Sequence, residues 1–206
     1  MNKKTIISSM VIFLLLVGTQ DMVRGERLIF HVNGGISLPA EENVNSAFDS
    51  GFGFAVAVNK KLWFSFNFDY WRSQVKETEK KLLEGKLSET PFLASVHYSL
   101  TESKTFNPYV FAGIGFVFSH FDIGEYVTIP EVTINQKVEN GPALQAGLGG
   151  WFRVSKRWAV FAEALYLYRK TDGKTIITDL NLGVTEDSFS LNMSASLLRV
   201  GIRYFL

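Results

Sequence analysis

Along most of the chain, apolar residues alternate with small or polar ones. That is the two-residue period of a strand, not the 3.6-residue period of a helix. Over 51–59, Phe52, Phe54, Val56 and Val58 fall on one face, and Gly51, Gly53, Ala55, Ala57 and Asn59 on the other. Over 62–71, Leu62, Phe64, Phe66, Phe68 and Tyr70 alternate with Trp63, Ser65, Asn67, Asp69 and Trp71. The same reading predicts strands over 28–38, 92–100, 109–121, 143–154, 158–169 and 192–206, making eight in all. Asn59-Lys60-Lys61 and Ser155-Lys156-Arg157 read as tight turns, and 101–107 as a slightly longer one. The connections 39–50, 72–90, 122–140 and 171–190 are long. An even strand count, with short turns at one end and long loops at the other, is the pattern of an outer-membrane barrel.

Two architectures suit eight alternating strands, a soluble barrel and a membrane barrel, and they differ in which face is apolar. Here the less apolar face carries the charges and most strand glycines: Gly35, Gly51, Gly53, Gly113, Gly115, Gly147, Gly149 and Gly201. An eight-stranded interior has room only for its own side chains. Small residues suit that space and rows of Phe do not, so the Phe/Val/Leu/Tyr face is predicted to point outward into lipid. Closure then satisfies every backbone group, as a membrane requires. Tyr70, Trp71, Tyr98, Tyr109, Trp158, Tyr166, Tyr168 and Tyr204 are expected to supply the two interfacial girdles.

The N-terminus departs from this pattern. Lys3 and Lys4 precede an apolar run from Met10 to Val17, and Gly25 with Val23 offers a small-residue cleavage site. Residues 1–25 are expected to be a cleaved secretory signal, since the run is shorter than the ~20 residues a spanning helix needs. Residues 26–206 are then a single barrel domain.

Composition narrows the chemistry. Lys+Arg is 21 against Asp+Glu 20, so no basic bias points to nucleic acid. With no Cys and 3 His, disulfides, thiolate sites and Cys nucleophiles are excluded, and no metal-ligand spacing is found, so no cofactor is expected. The 18 Phe exceed what a small soluble core needs and agree with a lipid-facing surface.

The last eight residues, Arg199-Val-Gly201-Ile-Arg-Tyr204-Phe-Leu206, resemble the C-terminal signal read by the outer-membrane insertion machinery, in which Arg199, Gly201, Tyr204 and Leu206 hold the motif positions. That signal usually ends in Phe; here Leu206 takes the place. Val32-Asn-Gly-Gly-Ile-Ser-Leu-Pro39, Gly51-Phe-Gly-Phe54, Asn107-Pro-Tyr109 and Gly113-Ile-Gly115 resemble the opacity-like and OmpX-like eight-stranded surface proteins of the outer-membrane β-barrel family. The resemblance spans essentially the whole mature chain. It implies an all-β, eight-stranded, antiparallel up-and-down transmembrane barrel in a Gram-negative-type outer membrane, in contact with outer-membrane lipid or lipopolysaccharide. It does not select one activity, because this fold hosts adhesins, complement-resistance proteins and lipid A enzymes.

Three places could carry function. The first is a network of inward charges: Glu163 and Arg199 on the last two strands, with Asp69, Arg153, Arg169, Arg203 and His31. It reads either as filler that must pair to be tolerated or as a gate in a narrow water path. The second is His97-Tyr98-Ser99, similar to the His-x-Ser of lipid A deacylases, in which His activates the Ser hydroxyl. Both residues are expected near the periplasmic rim and facing inward, which is the wrong place for that reaction. Ser119-His120 lies nearer the outer rim, with only Asp122 as an acidic neighbour. The third is the long loops. Lys76-Glu-Thr-Glu-Lys-Lys81 is a mixed-charge run, and 126–134 and 175–182 alternate like strands. These last two are expected to extend the hairpins beyond the membrane and expose a sheet edge to a host or surface ligand. The tips of the second and fourth loops are expected protease sites. The expected role is non-enzymatic: envelope support or surface binding. A lipid A-modifying enzyme is the alternative, and a narrow pore the third reading.

Overall fold

The computed structural model describes residues 28–76, 83–103, 105–123, 132–179 and 183–206. The expected signal, the tips of the second and fourth loops, and 126–131 of the third lie outside these residues. Eleven strands follow in order: β1 (Leu28–Pro39), β2 (Ala47–Ala57), β3 (Leu62–Val75), β4 (Gly85–Ser99), β5 (Phe106–Ile123), β6 (Val132–Val138), β7 (Gly141–Arg153), β8 (Trp158–Tyr168), β9 (Lys170–Asp179), β10 (Gly183–Asn192) and β11 (Ala195–Phe205). Eight of them close a barrel in the order β1-β11-β8-β7-β5-β4-β3-β2. Every ladder is antiparallel. The expected eight-stranded barrel is therefore present, with the start of β1, the end of β11 and the short turns at one rim.

The outward face is apolar from strand to strand. Phe48, Phe52, Ile114, Leu148 and Val200 are each at least 60% exposed. Many similar side chains join them into a belt around the barrel, and rings meet within it, as in the stacked Phe52–Phe68 pair with centroids 5.2 Å apart. Water would not tolerate so large a continuous apolar surface. Lipid does, and the closed ladder leaves no unpaired edge within the bilayer.

Several barrel strands are longer than their alternation first suggests. β2 starts four residues before Gly51, β3 runs on to Val75, and β4 starts at Gly85. These added stretches place polar residues (Asp49, Ser73, Glu89) on the inner face, which is why they read as loop.

The interior is not lined only by small residues. Trp63, Trp71, Tyr109, Phe111, Trp151, Phe161 and Phe205 all point inward and are buried. Trp71 and Tyr109 therefore do not belong to the interfacial girdles. Their parity settles it: Trp71 shares a face with Asp69, and Tyr109 with Phe111. Tyr70, Tyr98, Trp158, Tyr166 and Tyr168 do face outward, and Trp158 packs on Tyr204 at 4.7 Å. Glycine makes the large interior rings possible. A Cβ added at Gly149 would lie 2.8 Å from the Tyr109 ring, and one at Gly201 would lie 2.5 Å from Phe161.

Among the described residues, much of the third and fourth long connections forms strands. β9 and β10 continue the β8–β11 hairpin in unbroken register, with Leu167↔Ala195 below and Lys170↔Asn192 above. β6 adds to β9, through pairs such as Val138↔Gly173, one residue out of step with Leu144↔Tyr168 in the β7–β8 ladder. One extra residue on the β6–β7 side, a bulge, accounts for that step. The result is a three-stranded sheet, β10-β9-β6, standing above the barrel wall. At its base, Val44, Val75, Leu87, Phe121, Val138, Phe189, Leu191 and Met193 form a second apolar cluster that roofs the interior. The first long connection is strapped across this roof by Ala40 N–H to Ser194 O (2.7 Å), Asn45 N–H to Gln74 O (2.8 Å) and Lys76 N–H to Asn43 O (2.9 Å).

Candidate functional site

The inward charges of the barrel wall, among the described residues, are Arg153, Arg169, Arg199 and Arg203 against Asp49, Asp69, Glu89 and Glu163. Charges withdrawn from water must find partners, and most of these meet in three groups. Nearest the short-turn rim, Arg203 Nη2 donates to Glu163 Oε1 (3.0 Å) and to the Tyr109 hydroxyl (2.8 Å), and Tyr109 donates to the same carboxylate at 2.6 Å. Midway, Arg199 Nε donates to Asp49 Oδ2 at 2.6 Å and its Nη2 lies 3.0 Å from Asp69 Oδ2. Under the roof, Arg169 bridges to Glu89, to Ser119 Oγ (2.8 Å) and to the Glu139 carbonyl (2.6 Å), while the Trp71 indole donates to Glu89 at 3.0 Å.

Glu163 and Arg199 are direct register partners, as their adjacent strands suggest, but they do not pair as ions. Arg199 leans the other way, across β1, because Gly35 is its partner there and Asp49 is the partner of Gly35. A Cβ at Gly35 would sit 3.0 Å from the Arg199 Cα, so only glycine leaves that path open. One line of register partners, Tyr109–Gly149–Glu163–Arg199–Gly35–Asp49–Trp71–Glu89–Ser119, carries members of all three groups. Strand tilt turns that line into a spiral climbing the interior. Arg153 stands outside the three groups: its guanidinium lies over the Phe205 ring at 4.3 Å, and its Nη1 donates to the Lys156 carbonyl. His31 meets Asn67 at 2.7 Å and joins no ion pair. Asp49 and Glu89 escaped sequence reasoning because both fall beyond the clear alternation. The one available signal was their parity with Gly51 and with Leu93.

A small polar void lies beside the lowest group, lined by His31, Ser65, Asn67, His97, Glu163 and Arg203 among others. The space open to the centre of a water molecule is about 10 Å³, room for about one water. Trp63 and Phe111 stack on His97, so aromatic rings crowd this part of the barrel.

The serine–histidine pairs do not assemble. His97 Nε2 meets Ser65 Oγ at 2.7 Å, whereas Ser99 Oγ donates to Asn107 at 2.7 Å. His97 and Ser99 are buried in the barrel interior, away from lipid. Ser119 and His120 are neighbours on a strand and so point to opposite faces: Ser119 takes the Arg169 bond inside, and His120 lies 2.8 Å from Asp122 outside. No group of three or more His, Asp or Glu able to hold a metal ion occurs among the described residues.

At the C-terminus, Tyr204 and Leu206 are on the outer face, Arg199 is inside, and Phe205 is the buried ring that Arg153 covers. Above the membrane, Lys174 bridges Glu186 (3.2 Å) and Glu139 (3.3 Å) across the three-stranded sheet. Those two carboxylates, Glu186 foremost, hold its ammonium above the ordinary lysine range. Residues from Gly183 to Ser188 of β10 are exposed throughout, and β10 is one of the two outer strands of its sheet.

No protein-family model matches the chain, and no curated relative does. Solved structures do match. The outer membrane protein OprG from Pseudomonas aeruginosa is similar at 17% identity over 90% of this chain and 99% of that one, with a TM-score of 0.70. Neisserial surface protein A gives 16% identity, coverage of 87% and 97%, and a TM-score of 0.56. The outer membrane protein AlkL, solved in lipid bilayers, gives 17% identity, coverage of 91% and 94%, and a TM-score of 0.55. What is shared at these identities is the fold, that of the small outer-membrane β-barrels.

Proposed function

We propose that this chain is a non-enzymatic integral protein of the outer membrane, in which the barrel is a sealed anchor and the sheet above it is the working surface. One observation carries the reading. The β8–β11 hairpin continues in register through β9 and β10 into a sheet in which β10, among the described residues, pairs with β9 alone and keeps its other backbone edge open. An open edge held rigidly away from the membrane suits addition of an extended segment from a surface or host partner. Asp187 on that edge favours a segment with a basic residue opposite it.

The interior supports the anchor role. Rings and paired ions fill it, so the narrow-pore reading has little room to act in. The lipid A-modifying alternative gains no support from His97, Ser99, Ser119 or His120, which do not form a dyad with each other. A shortened chain tests the proposal: Gly173 and Phe189 are register partners, and an Asn-Gly turn can join them in place of residues 174–188. Cells displaying the full chain are expected to bind within a panel of immobilised serum and matrix proteins. The shortened chain should lose that binding while its unheated band still runs as a compact barrel. Equal binding by both chains would refute the reading, and so would an altered lipid A mass on overexpression.

A further inference from the structure

The outward face of β3, β4 and β5 changes character abruptly near the long-loop rim. The register rows Phe68–Phe92–Phe116 and Tyr70–Thr90–Phe118 are the top of the apolar belt there. The next two rows up are Arg72–Ser88–His120 and Gln74–Lys86–Asp122. Arg72 Nη2 lies 2.8 Å from Asp122 Oδ2, and His120 Nε2 lies 2.8 Å from Asp122 Oδ1. Asp122 thus holds the Arg72 guanidinium and the His120 ring on the outside of the wall, with Lys86 as its own register partner. All remain open to the surroundings; the His120 side chain is 76% exposed. Just past the end of the β3–β4 ladder come Lys76 and Glu84, one charge of each sign. Elsewhere on the rim, two described lysines stand in other settings. Lys174 is spent on two glutamates, and Lys170 stands opposite Asn192.

Neighbouring strands are about 4.8 Å apart, so Arg72, Lys86 and His120 start from backbone positions spread over about 10 Å. A phosphate fits among three donors at that spacing. Only a group held at the membrane surface meets this patch and the phenylalanine shelf below it together. Basic residues at this height recognise anionic headgroups, and guanidinium is well shaped for phosphate oxygens. We infer that Arg72, Lys86 and His120, braced by Asp122, bind the phosphate of an outer-leaflet lipid whose acyl chains lie on Phe92, Phe116 and Phe118. The inference rests on the barrel spanning a membrane, but not on any role for the sheet above it.

The test uses the refolded full chain in phosphatidylcholine nanodiscs, with lipid A as probe and band shift on unheated gels as the folding control. The wild type is expected to retain bis-phosphorylated lipid A. The variant R72Q/K86Q/H120Q should bind it roughly tenfold more weakly or worse, because each basic residue near the surface adds a comparable increment. K170Q, at the far side of the rim, should bind as wild type. Dephosphorylated lipid A should behave towards the wild type as lipid A does towards the triple variant. Unchanged binding by the triple variant would overturn the inference, as would an equal loss in K170Q. Full competition by millimolar inorganic phosphate would show a free-anion site and overturn the lipid assignment. A triple variant that lost its compact band would be replaced by K86Q alone, for which a measurable loss is still required. If the wild type itself lacked a compact band, the barrel reading would fail first, and separately.

Discussion

Arg199 shows how much depends on a neighbour with no side chain. Its guanidinium reaches Asp49 and Asp69 only because Gly35 stands between them. A Cβ at Gly35 would lie 2.1 Å from the Leu198 carbonyl oxygen, a backbone atom that cannot step aside. Gly35→Ala is therefore expected to cost about 3 kcal/mol or to prevent folding, read as a lower urea midpoint or loss of the compact band. Arg199→Met would strand two buried carboxylates. Breaking a buried pair on one side costs about 3–5 kcal/mol. Tryptophan fluorescence during urea unfolding in vesicles should show that loss, and R199M combined with D49N and D69N should recover most of it. If R199M alone unfolds like the wild type, the pairing contributes nothing to stability.

Among the elements, the hairpin formed by β8, β9, β10 and β11 is the most informative. It is half membrane wall and half surface sheet, with no change of register between the two. Removing residues 174–188 leaves the Gly173↔Phe189 pair and the apolar roof in place. The shortened chain should therefore keep a urea midpoint within about 1 kcal/mol of the full chain's, as expected for distant and weakly coupled regions. A collapse of barrel stability would mean that the upper sheet is part of the fold and not a separable display element.

For the whole molecule, the closed ladder and the packed interior make two linked predictions. The unheated chain should migrate as a compact band on a denaturing gel and the boiled chain at full length. The refolded chain in planar bilayers should show no steady conductance steps, because interior rings and ion pairs fill an eight-stranded barrel. Sustained single-channel steps would require a continuous water path past Tyr109, Phe161 and Arg203, contrary to the packing seen.

Strand existence, barrel closure and the outward apolar face were legible in the chain itself. A two-residue period assigns every side chain to one of two faces, and the rows of Phe on the crowded face leave lipid as the solvent. The same parity already held Trp71 and Tyr109 inside, against the pull of their residue type towards the girdles. Partner choice was not legible. Glu163 and Arg199 are adjacent by register, yet each bonds elsewhere, since side-chain lean across a glycine depends on barrel tilt and on what fills the next strand. Nor was the patch formed by Arg72, Lys86, His120 and Asp122, whose members are scattered over 51 positions of sequence. Periodicity acts along one strand and fixes a face. Which faces meet, and at what height, is set by closure of the sheet, which brings distant segments into one ladder.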